Sequence, residues 1–251
     1  MPTVRFCAVG DIHGTRYFSI FKASLKSIVG FKPDAFILAG DLVDEGKVDD
    51  LEYIIREIKS KFPSVPIFAV FGNEEYHELE AEFVNRYTEV IWLNDTPALY
   101  YINGVKVGLI GTRGALDKLT FWQRKHKPEL EITYRERPKL IKSMIKELRR
   151  YADIIILVSH YAPVFITVKG EPEKVYPYMG SREMERVIRE VKPDIVIHAH
   201  AHNARIVDAV VDGVKVYNVS LPARKGITLI EARPRTTLLG FLRAPSKVTE
   251  S

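Results

Sequence analysis

Short apolar runs recur along the chain, and several of them stop at a cluster of side chains that can carry chemistry. Val4–Val9, Ala35–Leu38, Ile67–Phe71 and Ile154–Val158 are rich in Val, Ile and Phe and almost free of polar residues. That pattern predicts strands covered on both faces. Ile195–Ile197 reads the same way. Between these runs, Tyr17–Val29, Asp49–Phe62 and Ser181–Val191 have helical spacing, with Asp49 or Asp50 placed to cap the second helix. Leu99–Ile102, Asn103-Gly104 and Val105–Ile110 predict a hairpin, since Asn-Gly suits a tight primed turn. Ala204–Val211, Asp212-Gly213 and Val214–Val219 predict a second one. Ile227–Ala232 and Thr236–Leu242 are further candidate strands. Pro33 and Pro66 precede strands, where a fixed φ does no harm.

Thr112–Arg150 interrupts the alternation with charge, including Arg124-Lys125-His126-Lys127 and Arg135-Glu136-Arg137. Leu140, Ile141, Met144, Ile145 and Leu148 within Pro138–Tyr151 are helically spaced, so a helix should pack one face on the body. The expected organisation is a single domain over 1–243, a helical insertion or lid at about 112–150, and a flexible tail at 244–251.

Composition adds limits. The 251 residues and 46% hydrophobic content easily fill a core. No apolar run approaches the ~20 residues that cross a bilayer. The first strand begins almost at Met1, leaving no room for a signal peptide, so a cytoplasmic location is expected. The single Cys7 has no internal disulfide partner and should pack as a small core residue. A net charge of +5 permits phosphate or nucleic-acid partners without selecting them. Gln123 is the only glutamine among abundant Lys, Arg and Glu, a bias expected of a thermophilic protein. No G-x-G-x-x-G or G-x-x-x-x-G-K occurs, which argues against NAD or ATP binding.

Five segments hold the candidate chemistry: Asp11-Ile12-His13, Gly40-Asp41-Leu42-Val43-Asp44, Gly72-Asn73-Glu74-Glu75, Ser159-His160 and His198-Ala199-His200-Ala201-His202. Oxygen and imidazole donors at one edge of a sheet are what divalent metals require. In extended backbone, residues two apart share a face, so Asp11 and His13 would point together, as would the three His of the last segment. Gly40 allows a close approach or an unusual φ, Asp41 is placed to bridge two cations, and Asp44 to brace the loop. Each segment also has a plainer explanation: a capping Asp with a chance His, a Gly-Asp turn, an N-cap for Asn73, a structural role for His160. The triple His is the hardest to explain by packing.

Taken in order, the five blocks resemble the calcineurin-like metallophosphoesterase superfamily, whose pattern is Asp-x-His, Gly-Asp-x-x-Asp, Gly-Asn-His-Asp/Glu, a later His and Gly-His-x-His. The resemblance covers about residues 4–220. It implies an α/β fold, a four-layered αββα sandwich of two mixed sheets flanked by helices, with metals at the strand ends. It further implies one cation held by Asp11, His13, Asp41 and His202, and another by Asp41, Asn73, His160 and His200. The implied reaction is direct phosphoester hydrolysis by a hydroxide bridging the two cations, with no covalent enzyme intermediate. Asp41, Asn73, Glu74 and His160 are the candidate catalytic residues, and Asp44, Glu75 and His198 the supporting ones, with a purely structural role favoured for His198. Ala199 stands where the family has Gly.

The departure with consequences is Glu74, where the family usually has His. A carboxylate there repels a phosphate dianion, which favours a diester over a monoester, or acts as a general acid if its pKa is raised. Mixed His and carboxylate ligation suits manganese, iron, nickel, cobalt or zinc, with manganese the expected choice in assays. The expected partner is a small phosphorylated substrate such as a nucleotide, with no membrane involvement. Lys169 and Arg182, the aromatics Tyr176 and Tyr178, and more weakly Arg113 are candidate substrate contacts. The alternatives are a nuclease acting on DNA or RNA, and a non-catalytic protein that keeps the metal site.

Overall fold

Alternation along the strands sorts the apolar side chains into separate interfaces. In β1 (Val4–Val9), Phe6 and Ala8 belong to one buried cluster, while Cys7 and Val9 belong to another. This is the period of two expected for a strand covered on both sides. The computed structural model describes residues 2–234. The strand expected at Thr236–Leu242 and the tail at 244–251 lie outside the described residues.

The first half runs α1 (Phe18–Ser27), β2 (Ala35–Leu38), α2 (Asp50–Lys61), β3 (Ile67–Ala69), α3 (Glu80–Arg86) and β4 (Val90–Trp92). A hairpin follows, β5 (Thr96–Ile102) and β6 (Val105–Thr112), turning through left-handed Asn103 and Gly104. Next come α4 (Phe121–His126), α5 (Leu130–Leu148), β7 (Ile154–Ser159), α6 (Arg182–Val191) and β8 (Ile195–His198). The second hairpin, β9 (Asp208–Val211) and β10 (Val214–Asn218), precedes the single turn α7 (Leu221–Arg224) and β11 (Thr228–Ala232).

Two sheets result, with orders β11-β1-β2-β3-β4 and β5-β6-β7-β8-β10-β9. β1 to β4 pair in parallel, as do β6, β7, β8 and β10, while β11, β5 and β9 are antiparallel edges. The inner faces meet in one cluster that includes Phe6, Ile37, Phe68, Leu109, Ile156 and Ile197. α1 and α2 cover the outer face of the first sheet through Phe21, Leu25, Ile54 and Ile58. α5 and α6 cover the second through Ile141, Ile145, Met184 and Ile188. The order of layers is therefore α, β, β, α. Among the described residues, no helix is long and apolar enough to cross a membrane.

Several local expectations differ from the structure. Neither Asp49 nor Asp50 caps α2: Asp49 has helical backbone, accepts nothing from the helix, and its carboxylate meets Arg86 instead. β3 stops at Ala69, because Val70 and Phe71 already lead into the site loop. β4, at three residues, is too short to give a strand signal in the sequence. α5 begins well before Pro138, which sits inside the helix and is tolerated there, while Leu140 turns to solvent. Of the stretch 112–150, α5 is thus a layer of the sandwich, and its first turns border the site together with α4 and the residues before it.

Candidate metal centre

Parallel strands deliver their following loops to one edge, and here both sheets do so at the same place. β1, β2 and β3 end just before Asp11, Asp41 and Asn73, and β7 and β8 just before His160 and His200. The first two loops run side by side: Asp11 N–H donates to Gly40 O at 2.9 Å, and His13 N–H to Asp41 O at 2.9 Å.

The backbone here is not extended, contrary to the sequence expectation. Asp11, His13, Asp41 and His200 all have positive φ, between 48° and 68°. Pairing of the strands has already ended, so each residue can turn left-handed, and the side chains gather at the strand ends. Such conformations cost on the order of 1 kcal/mol or more and concentrate where function requires them. Gly40, at φ 83°, permits the closest approach: a Cβ there would lie 2.7 Å from His160 Nδ1 and from Gly72 N. Gly72 is crowded in turn by Asp41, whose Oδ1 would lie 2.2 Å from an added Cβ.

Among the described residues, two donor groups converge. Asp11, His13 and His202 form one, and Asp41, His160 and His200 the other, with the ligand atoms of each group within 4.8 Å of one another. Asn73 joins the second, its Oδ1 3.1 Å from His160 Nε2. Asp41 faces both groups, with Oδ1 3.5 Å from His160 Nε2 and Oδ2 3.8 Å from His13 Nε2.

Hydrogen bonds at the far side of each ring decide which nitrogen is free. His160 Nδ1 donates to Ala39 O at 3.0 Å, leaving Nε2 as a lone pair that faces the Asn73 carbonyl oxygen. His200 Nε2 donates to Tyr178 O at 3.2 Å, leaving Nδ1 for the site. The Nε2 atoms of His13 and His202 stand 3.5 Å apart. Asp11 Oδ1 is fully buried and has no hydrogen-bond partner among the described residues. The His160 lone pair aimed at the Asn73 carbonyl oxygen, and the orphaned buried oxygen of Asp11, are both unfavourable unless a cation lies among them. The residues therefore fit divalent metal ions.

Protonation tendencies agree. Burial holds His160 well below the usual histidine range, with His200 adding to the effect. Burial also lowers His13 and His200, so these imidazoles are available as neutral ligands. His202 moves the other way: burial would lower it, but hydrogen bonding to the Asp11 carboxylate raises it. For Asp11, burial is outweighed by His202 and His160, which hold its carboxyl below the usual range. Burial, then the Glu75 and Asp11 carboxylates, push Asp41 well above the ordinary range. An ionised Asp41 thus calls for a cation beside it.

The supporting residues divide by what they touch. Asp44 Oδ1 lies 3.4 Å from His13 Nδ1, and its Oδ2 accepts from Arg16 at 2.9 Å. Glu75, fully buried, accepts four main-chain N–H groups, from Asp41, Leu42, Val43 and Gly72, at 2.6–3.1 Å. It ties the loops after β2 and β3 together, a role invisible in sequence because all four donors are backbone. Asn73 caps no helix; the next helical turn begins after Tyr76 and has no side-chain cap. His198 faces away from the donors, contacting Thr167 Oγ1 at 2.7 Å and Ala199 O at 2.9 Å. Burial lowers it to about 4, which favours the neutral ring.

Glu74 has two commitments. Its Oε2 accepts from the Glu45 N–H at 2.9 Å and its Oε1 from Asn73 Nδ2 at 3.1 Å. The second bond turns the Asn73 amide so that Oδ1 points at His160.

A cavity of about 580 Å³ opens beside Asn73 and His200. Arg113 and Tyr178 line it; Lys169, Arg182 and Tyr176 do not. Lys169 is exposed on a loop joined through its carbonyl to Arg205 N, and Arg182 pairs with Asp117 at the start of α6. Tyr176 stacks on Phe165 at 5.9 Å between ring centroids. The cavity's other aromatic walls, Tyr76, Trp122, Tyr134 and Tyr161, carry no motif that would have singled them out.

The chain belongs to the calcineurin-like phosphoesterase family, whose profile matches residues 4–204. Solved structures share the fold. Phosphopantetheinyl hydrolase from Mycobacterium tuberculosis superposes with a TM-score of 0.67 at 14% identity, over 89% of this chain and 92% of that one. GAP50, the anchor in the inner membrane complex of Plasmodium, gives 0.58 at 13% identity, over 92% and 81%. A 5'-nucleotidase precursor from Thermus thermophilus gives 0.56 at 14% identity over 92% of this chain, which spans 51% of its length. No curated protein matches the chain in a sequence search.

Proposed function

We propose that the protein is a two-metal phosphoesterase acting on a small phosphorylated substrate. The single observation that carries this reading is the pair of donor groups with Asp41 between them. Asp11, His13, Asp41 and His202 would hold one cation, and Asp41, Asn73, His160 and His200 the other. Bound there, two divalent cations supply Lewis acidity toward phosphoryl oxygens and lower the pKa of water to about 7. Manganese is the metal to supply first, since mixed oxygen and imidazole ligation accepts it readily.

The chain's own residues then account for positioning. Glu75 fixes the main chain at Asp41 and Gly72, and the Ala39 carbonyl fixes the His160 ring. Glu74 fixes the Asn73 amide and brings a half-buried carboxylate to the rim, where the family usually has His. A negative group at that position repels a monoester dianion more than a diester monoanion, so diesters are the favoured substrates. Each oxygen of Glu74 accepts a hydrogen bond, and orientation of Asn73 and charge at the rim are the roles this reading gives it.

The test is turnover of bis(p-nitrophenyl) phosphate before and after complete removal of metal by chelator, and after addition of manganese. Hydrolysis that disappears with the metal and returns with it supports the proposal. A protein that retains bound manganese yet hydrolyses neither aryl monoester nor aryl diester is a non-catalytic family member.

A further inference from the structure

Resting on the phosphoesterase reading, we propose that the cavity beside the metal centre takes the organic half of the substrate, and that this half carries an uncharged aromatic ring system. The cavity is continuous with the centre, since Asn73 and His200 form part of its wall. At about 580 Å³ it lies within the ~300–1,000 Å³ range of small-molecule sites.

Aromatic rings lead outward from the candidate ligands. Tyr161 packs edge-on against His200, with 4.9 Å between centroids, and against Tyr134, with 6.0 Å. Trp122 forms another wall and is 58% exposed, a large apolar surface left open to solvent beside a catalytic centre. It is nevertheless held in place. Thr120 and Gln123 form a reciprocal cap at the start of α4, Gln123 Nε2 also donates to Tyr134 Oη at 3.1 Å, and Trp122 stacks on His126 at 5.1 Å. A preorganised wall of rings offers stacking at low entropic cost.

Charge excludes the alternatives. Among the described residues, the cavity's two cations, Arg113 and Lys127, are already satisfied. Arg113 donates to the Glu75 carbonyl at 3.0 Å and to Glu80 at 2.6 Å, and Lys127 pairs with Glu78. A second phosphate, a polyphosphate or a nucleic-acid strand would need unpaired cations there. An uncharged ring needs none.

The experiment compares 2-(1-naphthyl)ethyl phosphate with ethyl phosphate, and likewise their methyl diesters, in the presence of manganese. Two saturated carbons separate the ring from the ester oxygen, so the intrinsic reactivities are matched. The expected kcat/KM ratio favours the naphthyl ester by about tenfold or more, and falls toward one in Trp122→Ala. A ratio near one in the parent, or one unchanged in Trp122→Ala, overturns the proposal. If neither ester is hydrolysed, equilibrium binding of 2-(1-naphthyl)ethanol decides, while the phosphoesterase reading stands or falls separately on the aryl diester. Saturable binding that weakens about tenfold in Trp122→Ala supports the aromatic site, and no binding overturns it.

Discussion

The main-chain N–H of His200 donates to Asp11 Oδ2 at 2.9 Å, joining the end of β8 in one sheet to the end of β1 in the other. One carboxylate oxygen is thereby committed to the fold, and Oδ1 is left buried without a partner. The same side chain locks the two sheet edges together and leaves one oxygen open toward the candidate site. A cation held there would couple metal binding to stability.

That coupling bears first on Asp41. Asp41→Asn removes the charge shared by both donor groups. Metal content and kcat/KM should fall together, by more than the roughly 100-fold that loss of an outer partner causes. Inductively coupled plasma mass spectrometry on the variant checks this, and full activity with both metals retained would refute the bridging role.

Glu75→Gln replaces one acceptor oxygen with an NH2 group facing main-chain N–H donors. The expected cost is about 2–3 kcal/mol of unfolding free energy, from buried donors left unpaired. Chemical denaturation of the metal-free protein measures it. A loss below about 0.5 kcal/mol would mean that the loops after β2 and β3 hold themselves in place.

Glu74→Gln keeps an oxygen for a hydrogen bond while removing the charge at the rim. Monoester turnover should rise relative to diester turnover, by about tenfold for one unit charge near the surface. Assays of p-nitrophenyl phosphate and its diester give the ratio. An unmoved ratio would show that Glu74 does not set the preference.

Cys7 is the chain's one thiol and is fully buried, and burial pushes it up to about 12 from an ordinary 9.0. The folded state thus favours the neutral thiol. Its contribution to stability is complete below pH 9.0 and is lost as the pH rises toward 12. At pH 8.5, iodoacetamide should leave Cys7 unmodified in the native protein and alkylate it rapidly in guanidinium. Native-state alkylation at the rate of a free thiol would contradict the burial.

The charge-rich, glutamine-poor composition predicts melting above the ~45–65 °C typical of mesophile domains. Calorimetry at neutral pH decides, and a transition inside that range removes the thermophile reading.

The amino-acid order alone determined where the buried strands lie and that each site segment follows one of them. Period-two alternation and short Val, Ile and Phe runs are local signals, written by burial on both faces. The type of chemistry was legible for the same reason: Asp, Asn and His placed directly after strands have few other uses in such number. Only the tertiary structure decided which donors meet. Asp11 and His200 are brought together by layers that pack through apolar contacts carrying no pairing code, and their side chains are aimed by left-handed backbone rather than by the alternation of an extended chain. It also decided the parts played by Glu75, whose partners are all main chain, and by Trp122, Tyr134 and Tyr161, which form a wall only once α4 and α5 are placed. Residue spacing is a one-dimensional signal, whereas a cavity and a ligand set are properties of segments distant in sequence that the packing makes neighbours.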